Sequence, residues 1–105
     1  MVTVPKPMTG EFCVSTRFHA NVGDEPQVER LVQSILPPVR AETACLGVEA
    51  MRSVDDPRLF IILSRWTGEE GHVHHRTLGH TMEFLSRIEP LLDEPPTSTR
   101  TSVIA

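Results

Sequence analysis

Hydrophobic and polar residues alternate with a period of two in EFCVSTRFHA, residues 11–20. Every second side chain from Phe12 to Phe18 would share one face, because successive residues of a strand point to opposite sides of the sheet. This segment therefore predicts a first β-strand. Residues 1–10 contain two prolines that interrupt any period, and they predict a flexible leader.

The period then changes to that of an amphipathic helix. Asp24 is predicted to cap this helix, and Glu25 and Pro26 suit its first turn. Apolar residues follow at the spacing of a helix face packed on a core: Val28, Leu31, Val32, Ile35 and Leu36. Pro37 and Pro38 are predicted to break or kink the helix, because proline lacks an amide donor and its ring clashes with the preceding turn. The following VRAET predicts a short second helical turn.

Two further strands are predicted to form a hairpin over residues 45–67. CLGVEAMRSV alternates, Asp55, Asp56 and Pro57 supply turn chemistry, and RLFIILSRW follows. This third strand contains an unbroken apolar run, Leu59–Leu63, which is typical of a strand covered on both faces. One layer of helices covers only one face, so we expect something else to cover the other.

The remaining sequence predicts two helices and a short strand. Thr67 and Glu70 have the spacing of a capping box, which would start a helix that ends near Gly79. A further helix is expected to bury four apolar side chains: Met82, Phe84, Leu85 and Ile88. The tail TSTRTSVIA favours a fourth strand or an arm. The order β-α-β-β-α-β predicts one α+β domain over residues 11–105, ferredoxin-like with an antiparallel sheet.

Composition narrows the class of protein. The 105 residues fit one domain, with ordinary hydrophobic (39%) and charged (23%) fractions. A net charge of -4 disfavours a nucleic-acid partner, because no basic stripe would neutralise phosphates. No apolar run is long enough to span a membrane, and the N-terminus lacks the apolar region of a secretory signal. A cytoplasmic location is expected, with Cys13 and Cys45 as buried free thiols.

Four of the five histidines lie in GHVHHRTLGH, residues 71–80. Helical spacing places His72 and His75 on one face, with His74 displaced and His80 able to fold back towards them. The segment has no cysteine and no HExxH spacing, and the nearby acids are assigned to the helix cap, so it is a weak metal signal. Three interpretations stay open: exposed histidines at helix ends, a pocket-lining role for His75 or His80, and a metal held through His72 and His75.

Four other side chains are candidates for a site. Trp66 would either pack in the core or wall a ligand cavity. Arg17 and Arg65 are expected to be partly buried, and each then needs a counter-charge, such as Glu49, or a hydrogen-bond acceptor. His19 ends the first strand and is expected to pair with backbone. No GxSxG, GxGxxG or P-loop motif occurs, which disfavours a serine nucleophile and a nucleotide cofactor.

The sequence from RFHA onwards resembles the antibiotic biosynthesis monooxygenase family, particularly its small quinol-monooxygenase-like members. The matching elements are the RFHA strand end, the segment PVRAETACL, the DDP turn and a strand that ends in Trp66. His75 follows this tryptophan by nine residues, and His80 comes five residues later. The likeness covers about residues 17–92.

This resemblance implies a ferredoxin-like domain that forms a homodimer through its sheet, as an α+β barrel, which would also cover Leu59–Leu63. It implies a monooxygenase that oxidises a quinol-like or polyketide-like small aromatic substrate with O2, without metal, haem or flavin. His75 and His80 would be catalytic, as base or hydrogen-bond donor, and Trp66 would wall the cavity.

The resemblance also implies that Arg17 or Arg65 holds a developing oxyanion, and His19 is a further candidate for substrate binding. Two departures narrow the activity. Haem-degrading relatives use an Asn on the first strand, where this chain has Thr16, together with a helical Trp that is missing here, so haem degradation is disfavoured. The chain also has no Tyr, which removes a phenolic partner that some oxygenase members use. The alternative to an enzyme is a non-catalytic module of the same fold that binds a small molecule in the cavity.

Overall fold

The computed structural model of the protein describes residues 10–105, which form four strands and three α-helices. In chain order they are β1 (Phe12–His19), α1 (Glu25–Arg40), β2 (Cys45–Arg52), β3 (Leu59–Trp66), α2 (Glu69–His75), α3 (Gly79–Ile88) and β4 (Thr97–Ser102), with a short 3-10 helix, Glu89–Leu91, after α3. The predicted order of strands and helices is confirmed. Nine of the ten residues of the predicted leader, 1–9, lie outside the described residues.

The four strands form one antiparallel sheet in the order β2-β3-β1-β4. β2 and β3 form the predicted hairpin, and the C-terminal tail supplies β4, which pairs with β1. An antiparallel sheet with this β-α-β-β-α-β connectivity is the ferredoxin-like α+β fold, so the predicted fold class is confirmed.

The core lies between one face of the sheet and the helices. Alternate residues of β1 and β3 point to this face and are buried there: Val14, Phe18, Phe60, Ser64 and Trp66. From the other side, α1 contributes Val28, Val32, Ile35 and Val39. The two-residue and helical periods of the sequence therefore predicted the core surfaces correctly.

α1 continues through Pro37 and Pro38 to Arg40, so of the predicted break or kink at these prolines the break is wrong. Each proline removes only its own N–H donor, and both lie in the last turn, where little of the helix remains. The turn still closes, because the backbone N–H of Ala41 donates to the carbonyl of Pro37 at 3.1 Å. VRAET therefore forms the end of α1 and a turn, not a second helix.

α2 begins and ends at residues other than those predicted. Gly68 is its N-cap residue and no side chain caps it, so the Thr67–Glu70 capping box does not form. α2 ends at His75, and Gly79 is the first residue of α3. The extended backbone of Leu78 separates the two helices, and Gly79 has no positive φ that would mark it as a C-terminal cap.

α3 buries Phe84 and Ile88 as predicted and partly buries Leu85, whereas Met82 is 60% exposed. Met82 lies on the solvent side because the buried stripe of α3 follows Thr81, Phe84 and Ile88. Among residues 10–105, no helix has the length and apolarity needed to cross a membrane.

The sheet face opposite the helices carries the other half of the apolar run in β3. Leu59, Ile61 and Leu63 alternate with the core-facing residues, and each is partly exposed. Met51, opposite Ile61 in the register, adds a side chain that is 41% exposed. Within one chain this segment is thus covered on one face only.

Candidate functional site

A cavity of about 410 Å³ lies between the sheet and the helices. Its apolar lining comes from β1, α1, β3 and α3, and includes Phe18, Ile35, Val39, Ile62 and Phe84. Hydroxyl and imidazole groups complete the wall: Thr16, Ser64, His72, His75 and Thr81. An apolar cavity of this size with a few convergent polar groups is typical of a small-molecule site.

Behind one wall of this cavity, Glu42 joins two histidines. Its Oε2 lies 2.7 Å from Nδ1 of His75 and 2.9 Å from Nε2 of His80. The Glu42 side chain is 9% exposed, and its second oxygen, Oε1, is buried without a hydrogen-bond partner among the described residues. His75 lines the cavity, whereas Glu42 and His80 do not. The carboxylate therefore holds the His75 imidazole from behind.

The contact with Glu42 determines which nitrogen of His75 can act on a ligand. A neutral imidazole that donates its Nδ1 proton to a carboxylate carries its lone pair on Nε2. Within residues 10–105, Nε2 has no hydrogen-bond partner. A carboxylate that fixes the tautomer of a histidine in this way is the arrangement that makes imidazole an effective base.

Close packing brings Glu42 to His75, although the two residues are 33 positions apart. Glu42 lies in the turn between α1 and β2, and the N–H of Thr67 donates to the carbonyl of Ala44 in that turn at 3.0 Å. α2 starts directly afterwards and approaches so closely that a Cβ at Gly71 would lie 2.5 Å from the Cβ of Ala44. Glycine at this position therefore permits the contact between turn and helix.

Trp66 is fully buried against the histidines of α2. Its ring centroid is 4.8 Å from that of His75 and 5.8 Å from that of His72, and its indole N–H donates to Oγ of Ser64 at 2.9 Å. Trp66 itself does not line the cavity, but it supports three residues that do. The structure thus places it as a packing residue behind the wall.

His72 is the second histidine of the cavity wall, and it is neutral at pH 7. Burial, and then the neighbouring His75, lower its pKa from 6.5 to about 4. Its Nδ1 is buried with no hydrogen-bond partner in the described part of the chain, and its ring lies 5.7 Å from that of Phe12. His72 therefore contributes an uncharged, largely apolar surface to the cavity.

The cavity is also lined by two arginines that no sequence pattern indicated. They are Arg76, directly after α2, and Arg100 on β4. Arg100 forms an ion pair with Glu69, and its guanidinium lies over the ring of Phe12, 5.2 Å from the centroid. Guanidinium groups attract phenolates and carboxylates, so these two favour a ligand with an anionic oxygen.

The two arginines predicted from the sequence lie on the opposite face of the sheet. Thr16 and Phe18 line the cavity, so strand alternation points Arg17 away from it. Arg17 is exposed there, and the expectation that it is partly buried is wrong. Arg65 lies on the same outer face, where it pairs with Glu11 at 2.5 Å rather than with Glu49.

His19 does not make the predicted backbone contact through its side chain but lies between two carboxylates. Its Nδ1 is 2.8 Å from Asp93 and its Nε2 is 2.7 Å from Asp56, while Arg58 donates to Asp93 at 2.6 Å. The hydrogen bonds to Asp93 and then to Asp56 raise the pKa of His19. This cluster joins β1, the β2–β3 turn and the segment before β4, outside the residues that line the cavity.

Of the residues predicted for the site, the structure brings His75 and His80 together through Glu42. Glu42 itself is not predicted by any sequence pattern, because periodicity relates only residues of one element. The one available signal was its position in PVRAETACL, a segment that carries the family resemblance. Arg100 gave no signal, since it reaches the cavity only through the pairing of β4 with β1.

Comparisons with known proteins agree with this fold. Residues 11–87 match the family model for antibiotic biosynthesis monooxygenase. Rv0793 from Mycobacterium tuberculosis superposes with a TM-score of 0.85 at 20% identity, over 90% of this chain and 96% of that one. PA3566 from Pseudomonas aeruginosa gives 0.83 at 22% identity, over 95% and 100%.

A crystal structure described as an antibiotic biosynthesis monooxygenase superposes with a TM-score of 0.83 at 16% identity, over 90% of this chain and 99% of that one. At such identities, the likeness to these three structures shows the fold alone. No curated protein matches the sequence closely enough to serve as a relative.

Proposed function

The chain belongs to the antibiotic biosynthesis monooxygenase family, and from this premise we propose that it is a cofactor-independent monooxygenase that oxidises a quinol-like or polyketide-like aromatic substrate with O2. The observation that carries the proposal is the Glu42–His75 pair, in which a buried carboxylate holds an imidazole at the wall of an apolar cavity. Such a pair supplies a base in a place where an aromatic ring can bind.

The proposed reaction needs a base but no external reductant. Nε2 of His75 would remove a proton from the phenol or from the carbon that becomes oxidised, and the electron-rich anion would then reduce O2. The oxygen adduct is a hydroperoxide, which loses water. In an anthrone, a CH2 group and O2 thus give C=O and H2O. In a quinol, a ring C–H and O2 likewise give a hydroxyquinone and H2O. One oxygen atom stays in the product in both cases, and the substrate supplies all the electrons.

The other residues of the cavity have supporting roles in this proposal. Glu42 would fix the tautomer of His75 and stabilise the imidazolium that forms. His80 contacts the same carboxylate oxygen, so its contribution would be to position Glu42. Arg76 and Arg100 would attract the anionic oxygen of the substrate, a role expected of Arg17 or Arg65 from the resemblance.

We also propose that two copies of the chain form a homodimer through the outer faces of their sheets. Leu59, Ile61 and Leu63 line this face, and a second sheet packed on it would remove them from water. Burial of apolar surface stabilises association by roughly 25 cal/mol per Å² before the costs of association. The apolar run of β3 supports this arrangement.

Oxygen uptake with simple hydroquinones and a hydroxyanthrone, in metal-free buffer, tests the proposed activity. We expect turnover by the wild type and a loss of about a hundredfold or more in His75→Ala, since general bases contribute about 10²–10⁴-fold. His80→Ala should lose less, because it acts through Glu42. His74→Ala is the matched control, since His74 is exposed on the same helix and does not line the cavity.

If both His75→Ala and His80→Ala retain wild-type uptake, the assignment of these residues is wrong. The alternative function, a non-catalytic module that binds a small molecule, has its own signature. It predicts that aromatic ligands raise the melting temperature of the wild type while no oxygen is consumed.

A further inference from the structure

We infer that Glu42, His75 and His80 form a binding site for one divalent transition-metal ion of the zinc and iron(II) class. One carboxylate oxygen and two imidazole nitrogens lie within 4.8 Å of one another in this cluster. Two histidines and one carboxylate are a donor set that such ions take in proteins. The binding of the ion goes beyond the proposed function and does not depend on it.

The distances in the cluster are close to those that an ion requires. Oε2 of Glu42 is 2.7 Å from Nδ1 of His75 and 2.9 Å from Nε2 of His80. An ion held at about 2.0–2.2 Å from each ligand separates neighbouring ligand atoms by about 3.0–3.4 Å. The two oxygen–nitrogen separations therefore need to lengthen by only a few tenths of an ångström to admit an ion, and the two nitrogens lie within 4.8 Å of each other.

The second oxygen of Glu42 is an independent reason to assign a cation to this position. The Glu42 side chain is nine-tenths buried, and Oε1 has no hydrogen-bond partner in the part of the chain that the structure describes. A buried carboxylate oxygen without a partner is energetically costly. A cation bound to this carboxylate would compensate that cost.

A second group of potential metal ligands is a weaker candidate for a binding site. It consists of His19, Asp93 and Glu94. His19 is already bonded through both nitrogens, and Asp93 forms an ion pair with Arg58. Asp93 and Glu94 are exposed, so neither carboxylate is a buried group in need of a partner. This group therefore serves as an internal control for nonspecific binding.

Occupation of the site would also affect the proposed chemistry, a consequence that rests on the proposed function. An imidazole that gives its Nδ1 lone pair to a metal carries its proton on Nε2. His75 would then present a donor to the cavity instead of a base. Zinc bound at Glu42, His75 and His80 is thus expected to inhibit the oxygenase without entering the cavity.

Calorimetric titration of the EDTA-treated, untagged protein with ZnCl2 or CoCl2, without any aromatic substrate, tests the site. We expect one ion per chain, and a visible absorption spectrum of protein-bound Co²⁺. Glu42→Gln and His80→Ala should each weaken binding by at least about tenfold, the smallest effect usual for a lost metal-site partner. MgCl2 should not bind, because Mg²⁺ prefers oxygen ligands.

Three variants serve as controls for the metal site. His74→Ala, His72→Gln and Asp93→Asn should all bind zinc as the wild type does, since none alters the three ligands. His80 is 30% exposed, so its replacement is expected to leave the chain folded even if Glu42→Gln does not fold, and circular dichroism checks this. The site is refuted if the wild type binds no ion, or if His80→Ala binds as tightly as the wild type.

Discussion

Nδ1 of His75 lies 2.7 Å from Oε2 of Glu42, and this contact joins the end of α2 to the turn that follows α1. It is made beside the pairing of Cys45 with Trp66, where β2 begins and β3 ends. One buried carboxylate thereby fixes the tautomer of a cavity-lining histidine and holds two helical segments together. The proposed catalysis, the packing and the proposed metal binding each depend on this contact in a different way, so they can be tested separately.

Glu42→Gln is predicted to reduce turnover while substrate binding is retained. Glutamine keeps the shape of the side chain but cannot stabilise the imidazolium of His75, so kcat should fall by about a hundredfold or more. Because Glu42 does not line the cavity, the Kd of a non-oxidisable aromatic analogue should stay within about twofold of the wild-type value. Stopped-flow oxygen consumption and calorimetry measure the two quantities.

Glu70→Gln is the matched control for this substitution, since Glu70 is an exposed acid on α2. It should change neither kcat nor Kd. A Glu42→Gln protein that keeps wild-type kcat would exclude Glu42 as the partner of a catalytic base. A parallel loss of kcat and analogue binding would instead indicate that Glu42 only maintains the shape of the cavity.

Gly71→Ala is predicted to destabilise the fold and to separate Glu42 from His75. The added Cβ would lie 2.5 Å from that of Ala44, so α2 or the turn must move. Overpacking of this kind costs about 1–3 kcal/mol, which urea denaturation measures directly.

Gly79→Ala provides the comparison for Gly71→Ala, because its added Cβ meets nothing within 4 Å and the residue is also helical. Alanine favours helix over glycine, so Gly79→Ala should leave stability unchanged or raise it by up to about 1 kcal/mol. Equal effects of the two substitutions would contradict the packing argument.

Features that depend on residues close together in the sequence could be predicted from it. Alternation identified β1 and β2, and the apolar run Leu59–Leu63 identified β3, because strand faces follow directly from a period of two. The order of these elements then indicated the ferredoxin-like fold. Errors occurred at helix ends, where one residue type suits several positions. Gly79, for example, suits the end of α2 as a residue type but begins α3.

The candidate site could be predicted only in part, because it combines residues from separate elements. His75 and His80 were identified through their cluster, whereas Glu42 reaches them through packing that no local period encodes. The sequence predicts a partly buried Arg17, but the alternation of a strand does not show whether another element covers the face on which Arg17 lies. Arg100 lines the cavity instead, through the register of β4 on β1.

Acid is predicted to destabilise the protein through His72. The folded-state pKa of about 4 lies below the ordinary 6.5, so between these values the unfolded chain binds a proton that the folded chain does not. The stability that neutral His72 contributes is fully present above pH 6.5 and is lost as the pH falls towards 4. Between pH 6.5 and pH 5 the loss should be about 1.5 kcal/mol.

His72→Gln removes this titration, so its free energy of unfolding should fall less than that of the wild type over the same pH range. His74→Gln is the control, since His74 is exposed and its loss should leave the pH dependence unchanged. Urea denaturation at a series of pH values gives both comparisons. Identical pH profiles for wild type and His72→Gln would show that His72 is protonated as readily in the folded protein as in the unfolded chain.

Ile61→Lys is predicted to convert a dimer into monomers. Ile61 lies between Leu59 and Leu63 on the outer face of the sheet and opposite Met51. Arg17 pairs with Ile61 in the register, so a lysine there would add a second positive charge beside it, among the apolar side chains that the proposed dimer buries. Sedimentation equilibrium should therefore give twice the chain mass for the wild type and a single chain mass for Ile61→Lys.

Val54→Lys is the matched control, because Val54 is 96% exposed in the turn between β2 and β3 and lies outside the apolar face. This variant should sediment as the wild type does. Both lysine variants should keep the far-ultraviolet circular dichroism of the wild type, since neither substitution enters the core. A wild type that sediments as a single chain at micromolar concentration would contradict the sheet-to-sheet dimer, and the apolar face of Leu59, Ile61 and Leu63 would then require another partner.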